Sequence, residues 1–273
     1  MERSAATAGI GRALAFALPA LLSALLPAVP AHAADEEIQV YIDDMLAQGK
    51  FGLDVHVNDV LQGRLANVDY PGQQTSQDRV RVTPEWAYGL TPNIELGAYL
   101  PLMTFADGRG EIGGVKGRIK FIAPHKDGDG LFWGVNFELG RVRRDIDINP
   151  WNAELKGIAG LHRGPWTLAE NLNIDWAVSG PDKGPASYQL ATMVTRKLGG
   201  GDFDVGFESY NTVGDARRLG PLSVNDQQFF LIMDTGLGKW GLDKWDLNLG
   251  VGWGYGRPED HLIVKAIIGV PIG

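Results

Sequence analysis

The stretch Trp245-Asp246-Leu247-Asn248-Leu249-Gly250-Val251-Gly252-Trp253-Gly254-Tyr255 alternates without interruption, apolar or aromatic at odd positions and polar or bare at even ones. Successive side chains of a β-strand point to opposite faces, so as a strand this stretch has one greasy face and one polar face. As a helix it would wind both classes around the whole circumference. A strand of this length and pattern fits a barrel wall with lipid on one side and water or polar packing on the other.

The same parity recurs along the chain. Phe51, Leu53, Val55 and Val57 oppose Asp54, His56 and Asn58; Val80, Val82, Trp86, Tyr88 and Leu90 oppose Arg81, Thr83 and Glu85. Val115, Ile119 and Phe121 stand against Lys116, Arg118 and Lys120, and Trp133, Val135, Phe137 and Leu139 against Asn136 and Glu138. Trp166, Leu168, Leu172, Ile174 and Trp176 oppose Thr167, Asn171, Asn173 and Asp175, with Glu170 as an exception on the greasy face. That exception marks either a subunit contact or a misplaced register.

Twelve such segments start near residues 49, 78, 93, 112, 131, 151, 166, 186, 202, 226, 244 and 261. An even count brings both ends of a barrel to one side of the membrane. Thr91-Pro92-Asn93, Arg163-Gly164-Pro165 and Gly199-Gly200-Gly201 read as tight turns, and residues 61–77 and 212–225 as long loops. Tight turns are expected at the periplasmic end and long loops outside. The expected fold is all-β, a transmembrane antiparallel up-and-down β-barrel of about 12 strands.

A soluble β-sandwich or lipocalin-like barrel also alternates, with its apolar face as the core. Aromatic spacing favours the membrane: Trp166 and Trp176 share a face ten residues apart, as do Trp245 and Tyr255. At about 3.3 Å per residue and a tilt near 40°, ten residues climb roughly 25 Å, the height of an apolar band between two aromatic girdles. Trp86, Trp133, Trp166, Trp176, Trp245 and Tyr255 are the girdle candidates.

The beginning of the chain favours it too. Arg3 and Arg12 precede the apolar stretch from Ala13 to Val29, and Ala31-His32-Ala33 follows before Asp35-Glu36-Glu37. A basic start, an apolar middle and an A-x-A site make a secretory signal peptide, with cleavage expected after Ala33. A retained anchor helix would be broken by Pro19, Pro27 and Pro30. The expected organisation is 1–33 signal peptide, 34–48 periplasmic N-terminal segment, and 49–273 outer-membrane barrel. In the N-terminal segment Ile38, Val40 and Ile42 alternate with Gln39 and Asp43, which fits a short strand, a plug in the periplasmic mouth or a tail.

Composition excludes several classes. Beyond the first forty residues no apolar run approaches the roughly 20 residues of a spanning helix. With no cysteine there is no disulfide framework and no thiolate chemistry. A net charge of -8, or -9 once Glu2, Arg3 and Arg12 are removed, speaks against a nucleic-acid partner, which would call for a basic face.

The runs Glu37-Ile38-Gln39-Val40-Tyr41, Gly49-Lys50-Phe51-Gly52-Leu53-Asp54-Val55-His56, Thr83-Pro84-Glu85-Trp86-Ala87-Tyr88-Gly89-Leu90-Thr91, Gly97-Ala98-Tyr99-Leu100-Pro101-Leu102 and Gly134-Val135-Asn136-Phe137-Glu138 carry a resemblance. Over most of residues 37–270 the chain resembles proteobacterial outer-membrane β-barrels grouped with the meta-pathway of phenol degradation and called transporters. The resemblance implies a location in a Gram-negative outer membrane and a barrel architecture; it implies no catalytic residues and no cofactor. Many barrels end in an aromatic that the barrel-assembly machinery reads; this chain ends Val270-Pro271-Ile272-Gly273, so the strand from His261 to Val270 is expected to carry that signal.

With apolar faces toward lipid, the lumen is expected to be lined by Asp54, His56, Arg81, Glu85, Glu95, Lys116, Arg118, Lys120, Glu138, Asp175, Asp234, Asp246 and Lys265. A basic ladder at Lys116, Arg118 and Lys120 facing acidic neighbours makes a transverse field that orients polar solutes. The functional reading is a porin-like or transporter-like channel for small solutes, with outer-membrane lipids and lipopolysaccharide as surroundings. The alternative is a closed structural barrel whose charges are paired.

A lipid hydrolase is the rival in kind, needing a serine beside a histidine on the lipid face near the outer leaflet. Of His56, His125, His162 and His261, only His261 is expected near the outer rim, where Ser179, Ser187 and Ser223 are candidate partners. No lipase motif surrounds them, so the expectation is no enzyme, no metal and no cofactor. Gly236-Leu237-Gly238-Lys239-Trp240-Gly241 matches a dinucleotide pattern but lacks the following helix, and Asp127-Gly128-Asp129 lacks the glutamate that closes a calcium loop. Both read as turns. Asp145, Asp147 and Asn149 alternate in an expected outer loop, either solvated or sharing a divalent ion.

Overall fold

The computed structural model describes residues 37–65, 70–199, 203–256 and 260–272. The expected signal peptide and Gly200-Gly201 of one expected turn lie outside the described residues. The strands, in chain order, are β1 (Phe51–Gln62), β2 (Arg79–Thr91), β3 (Ile94–Ala106), β4 (Arg109–Ile122), β5 (Gly130–Val142), β6 (Trp151–Arg163), β7 (Trp166–Ser179), β8 (Ser187–Lys197), β9 (Phe203–Asp215), the two-residue β10 (Arg218–Leu219), β11 (Asp226–Gly236), β12 (Asp246–Gly256) and β13 (Leu262–Ile272). Each long strand pairs antiparallel with the next, β9 bypassing β10 to reach β11. Pairing of β1 with β13, from Phe51↔Ile272 to Gln62↔Leu262, closes a 12-strand barrel.

All expected strand starts but one fall within two residues of the observed ones; β4 begins at Arg109 rather than near 112. The cause is an Asp107-Gly108 turn with φ of 51° and 71° at the two positions, the left-handed pair that a two-residue hairpin demands. It places a tight turn at the same end as the long loop 63–78, which corrects the expectation that tight turns share one end. Conversely the β11–β12 connection, at the end of the other tight turns, takes up residues 237–245 and includes a 3-10 turn at Gly238–Trp240. That turn is the dinucleotide-like run, finished by Gly241 at φ 81°.

The two faces of the wall are chemically opposite. Large side chains on the outward positions are exposed, among them Leu131 at 77% and Trp133 at 58%, while the inward positions hold buried charge, including His56, Glu85, Glu138 and Lys265. A soluble barrel would show the reverse, and exposed apolar surface this extensive is foreign to a water-facing wall. The wall is built to stand in lipid. Glu170 does face outward, and the Thr192 hydroxyl on β8 donates to it at 2.6 Å; the register is not misplaced.

One strand changes phase. On β3 both Tyr99 and Leu102 point inward, with register shifts toward β2 and β4 between them. Pro101 sits in that interval and has no N–H for the ladder, so the regular pairing breaks there.

Candidate functional site: the lumen and the segment inside it

All thirteen lumen candidates have inward parity. On β1 to β4 they form one network: His56 Nε2 lies 3.0 Å from Glu85, and Arg118 bonds Glu85 and donates to Glu95 at 2.7 Å. Lys120 stands 3.5 Å from Glu95, and Lys116 3.7 Å from Glu138 on β5. These contacts follow from register, because Glu85 and Tyr99, then Gly97 and Arg118, then Arg118 and Glu138 are direct cross-strand partners. Gly97 leaves room for the arginine: a Cβ there would fall 2.5 Å from Arg118 Nε. Asp54 lies opposite Glu85 near one mouth, and Arg81 is buried on the inward face of β2.

The rest of the lumen is different. Lys265 on β13 bonds Glu208 on β9, Asn248 Nδ2 donates to Asp234 at 2.6 Å, Asp246 sits opposite Gly269, and Asp175 opposite Glu154. Among these run apolar side chains that parity reasoning about charges overlooked: Ala191, Met193, Tyr210, Phe230, Ile232 and Ile263 belong to one buried cluster drawn mainly from β7 to β13. Continuous apolar runs such as Phe229-Phe230-Leu231-Ile232-Met233 and Leu262-Ile263-Val264 signal strands dry on both faces. Gly252 allows a close approach, since a Cβ would lie 2.3 Å from the Phe230 ring.

Between these halves lies the N-terminal segment, residues 37–48, which is irregular rather than a strand. Ile38, Val40 and Tyr41 are buried in the apolar cluster, with Ile42 and Met45 packed against it. Asn171 clasps the Tyr41 backbone, donating to its carbonyl at 2.9 Å and accepting its N–H at 2.6 Å. The Tyr41 and Tyr99 hydroxyls are 2.6 Å apart, and Tyr99 donates to Glu138 at 3.3 Å. Lys156 Nζ sits 4.1 Å from the Tyr41 ring centre, at cation–π distance. Lys265 donates to the Ile38 carbonyl at 2.9 Å, Lys120 to that of Asp44 at 2.8 Å, and the Leu46 N–H donates to Glu95 at 2.9 Å. The segment therefore supplies backbone partners to Lys265, Lys120 and Glu95 of the lumen.

His162 and His125 are engaged by the segment rather than by a serine. His162 Nε2 lies 2.8 Å and His125 Nε2 3.2 Å from the Asp43 carboxylate of the segment. His261 is exposed beside the start of β13, whereas Ser179 ends β7 and Ser187 starts β8, five and four strands away around the barrel order. In the loop 143–150, Asp145 is held by Arg143 and Gln74, and Asp147 by the Asn149 N–H and Asn152, so these acids tie the loop together. Asp129 accepts the Gly164 N–H at 2.8 Å.

The girdle candidates all stand on outward positions or at the rims. Trp133, Trp166 and Trp245 lie near the end holding the Gly164 turn, Trp176 and Tyr255 near the opposite end, and Trp86 between, its indole N–H donating to the Leu100 carbonyl at 3.2 Å.

No family model matches the sequence, and no curated protein does. Among solved structures the fold is similar to an outer membrane channel from Pseudomonas putida F1, at 14% identity and TM-score 0.56, over 86% of this chain and 100% of that one. It is similar to the KdgM porin at 12% identity and TM-score 0.50, over 81% and 99% of the two chains. It is also similar to the NanC porin at 9% identity and TM-score 0.51, again over 81% and 99%. At such identities the shared feature is the fold, that of outer-membrane barrels.

Proposed function

We propose that the protein is a porin-like channel of a Gram-negative outer membrane that passes small solutes along the charged half of its lumen, past residues 37–48 acting as a plug. The carrying observation is a lumen of charged side chains within a wall whose outer face is apolar. The barrels of similar fold are described as porins and as an outer membrane channel, which supports the same reading. Of the lumen set, the members on β1 to β5, from Asp54 to Glu138, line that path, and Lys116, with 22% of its side chain exposed, is placed to meet a solute. Membership of the barrels grouped with the meta-pathway of phenol degradation is the finer family reading and leaves the solute open. Removal of residues 1–33, insertion by the barrel-assembly machinery and contact with lipopolysaccharide belong to the same proposal. A non-catalytic role is supported by the separation of His261 from Ser179 and Ser187, two of its three candidate serine partners; the third, Ser223, lies in the 3-10 turn Leu222–Val224, which packs on β11 and β12.

Planar-bilayer recordings of the refolded mature protein test this, beside a chain lacking residues 37–48 and the variant Lys116→Glu. The shortened chain is expected to give larger, longer-lived steps than the intact one, and Lys116→Glu a shift toward cations. Silence from a shortened chain that migrates as a folded barrel would sink the channel reading. It would leave the closed structural barrel, which the depth of burial of Glu138 and Lys265 favours.

A further inference from the structure

At the end carrying the loop 63–78, β9 runs past its last partner on β11, Asn211, and Arg218–Leu219 fold back onto Asp215 and Gly214 as β10. The turn is tightly specified. Gly214 has φ 122°, and a Cβ there would meet the Arg218 carbonyl at 2.3 Å. Asp215 Oδ1 accepts the N–H groups of Arg217 and Arg218 at 2.7 and 2.9 Å, and the Ala216 N–H donates to Ala186 at 2.8 Å. Beneath the flap the outer wall forms a groove of about 480 Å³, floored by Leu172, Leu190 and Val213 and rimmed by Arg217, Arg218 and Leu219.

This groove combines two chemistries in a way the rest of the outer wall does not require. The floor is aliphatic and faces where lipid tails run. The rim carries two adjacent exposed arginines on a chain of net charge -8, and the carboxylate of their own turn, Asp215, already serves two backbone amides. Guanidinium groups match phosphate oxygens in paired hydrogen bonds and carry full charge at every working pH. Leu219, 70% exposed beside them, makes sense at a lipid boundary and not in water. The volume lies within the range of small-molecule sites.

We infer that the groove is a binding site for lipid A of lipopolysaccharide, a phosphate held by Arg217 and Arg218 and an acyl chain lying along Leu172, Leu190 and Val213. The inference rests on the outer-membrane reading, with the long-loop end outward, and is independent of the solute path. The test is native mass spectrometry of the refolded mature barrel in detergent with bis-phosphorylated lipid A. Dephosphorylated lipid A, phosphatidylglycerol and inorganic phosphate serve as competitors. The intact protein is expected to retain one lipid A, and the paired substitution Arg217→Gln with Arg218→Gln to lower its occupancy by about tenfold or more, as loss of charge-assisted bonds to phosphate implies. Val213→Trp, which fills the floor from the lipid side, is expected to lower it as well, and dephosphorylated lipid A to bind as weakly as to the arginine variant.

Equal retention by intact and arginine-substituted protein overturns the site. So does displacement by inorganic phosphate alone, or retention of phosphatidylglycerol as well as lipid A, which would indicate a general anionic annulus. Heat-modifiable migration of each variant on gels separates a lost site from a lost fold, and should the arginine pair fail to fold, Val213→Trp decides. Failure of the intact protein to insert into vesicles would instead count against the membrane reading itself.

Discussion

The two halves of the lumen hold the same segment by different means. On β1 to β6, charges are matched across neighbouring strands, as in Glu85–Arg118–Glu95, and they reach the segment through backbone atoms of Asp44 and Leu46. On β7 to β13 the contact is mainly burial, with Ile38 and Val40 set among Met193, Phe230 and Ile263, pinned at two points where Asn171 clasps the Tyr41 backbone and Lys265, bonded to Glu208, donates to the Ile38 carbonyl. A matched charge network fixes geometry and is intolerant of losing one member; an apolar surface holds by area and tolerates rearrangement. The charged half is thus the rigid side of the passage, and the apolar half the more adaptable one, where Asn171 and Lys265 fix the segment's course.

The largest expected effect tests the rigid side. Arg118→Met leaves Glu85 and Glu95 buried without their shared cation and is expected to destabilise the barrel by about 3–5 kcal/mol, read from urea unfolding in phospholipid vesicles. A change near zero would mean that water screens that network and that the halves do not differ as described. Next comes Gly252→Ala, which drives a methyl into Phe230; overpacking of about 1–3 kcal/mol is expected if the apolar half is packed to contact. No penalty there would show a loose, adaptable surface and sharpen the contrast. The smallest effect belongs to the hinge between them: Tyr41→Phe removes the hydroxyl bonded to Tyr99 and should cost about 1 kcal/mol while raising the frequency of open events in bilayer recordings. An unchanged open frequency would show that the hydroxyl does not help hold the segment.

The wall was legible in the sequence because its rule is local. A period of two over ten residues assigns each side chain to lipid or lumen with no knowledge of the partner strand, so His56, Glu85, Arg118 and Glu138 could be oriented from their neighbours alone. The Asp107-Gly108 hairpin obeys an equally local rule, yet the Gly108 to Gly114 run, rich in glycine, hides where the next strand begins. The course of residues 37–48 follows no local rule. Alternation of Ile38, Val40 and Ile42 suits an edge strand as well as a plug. What decides is Asn171, 130 positions from Tyr41 and paired with its backbone, together with an apolar patch assembled from strands far apart in the chain. Likewise β10 is two residues long, too short for any period to register.

Closure of the wall by β1 against β13 sets the order in which the molecule can form. Every other seam joins neighbours in the chain, but this one unites Phe51 with Ile272, the widest sequence separation of any pair in the sheet. Bringing such distant residues together carries the greatest loop-closure entropy, which predicts that this seam forms last. Until that moment the curved sheet has two free edges, and the residues just before β1 lie beside one of them, open to lodge in the concave side. Weakening the seam should therefore act first on the rate at which barrels mature, and only afterwards on how long they last.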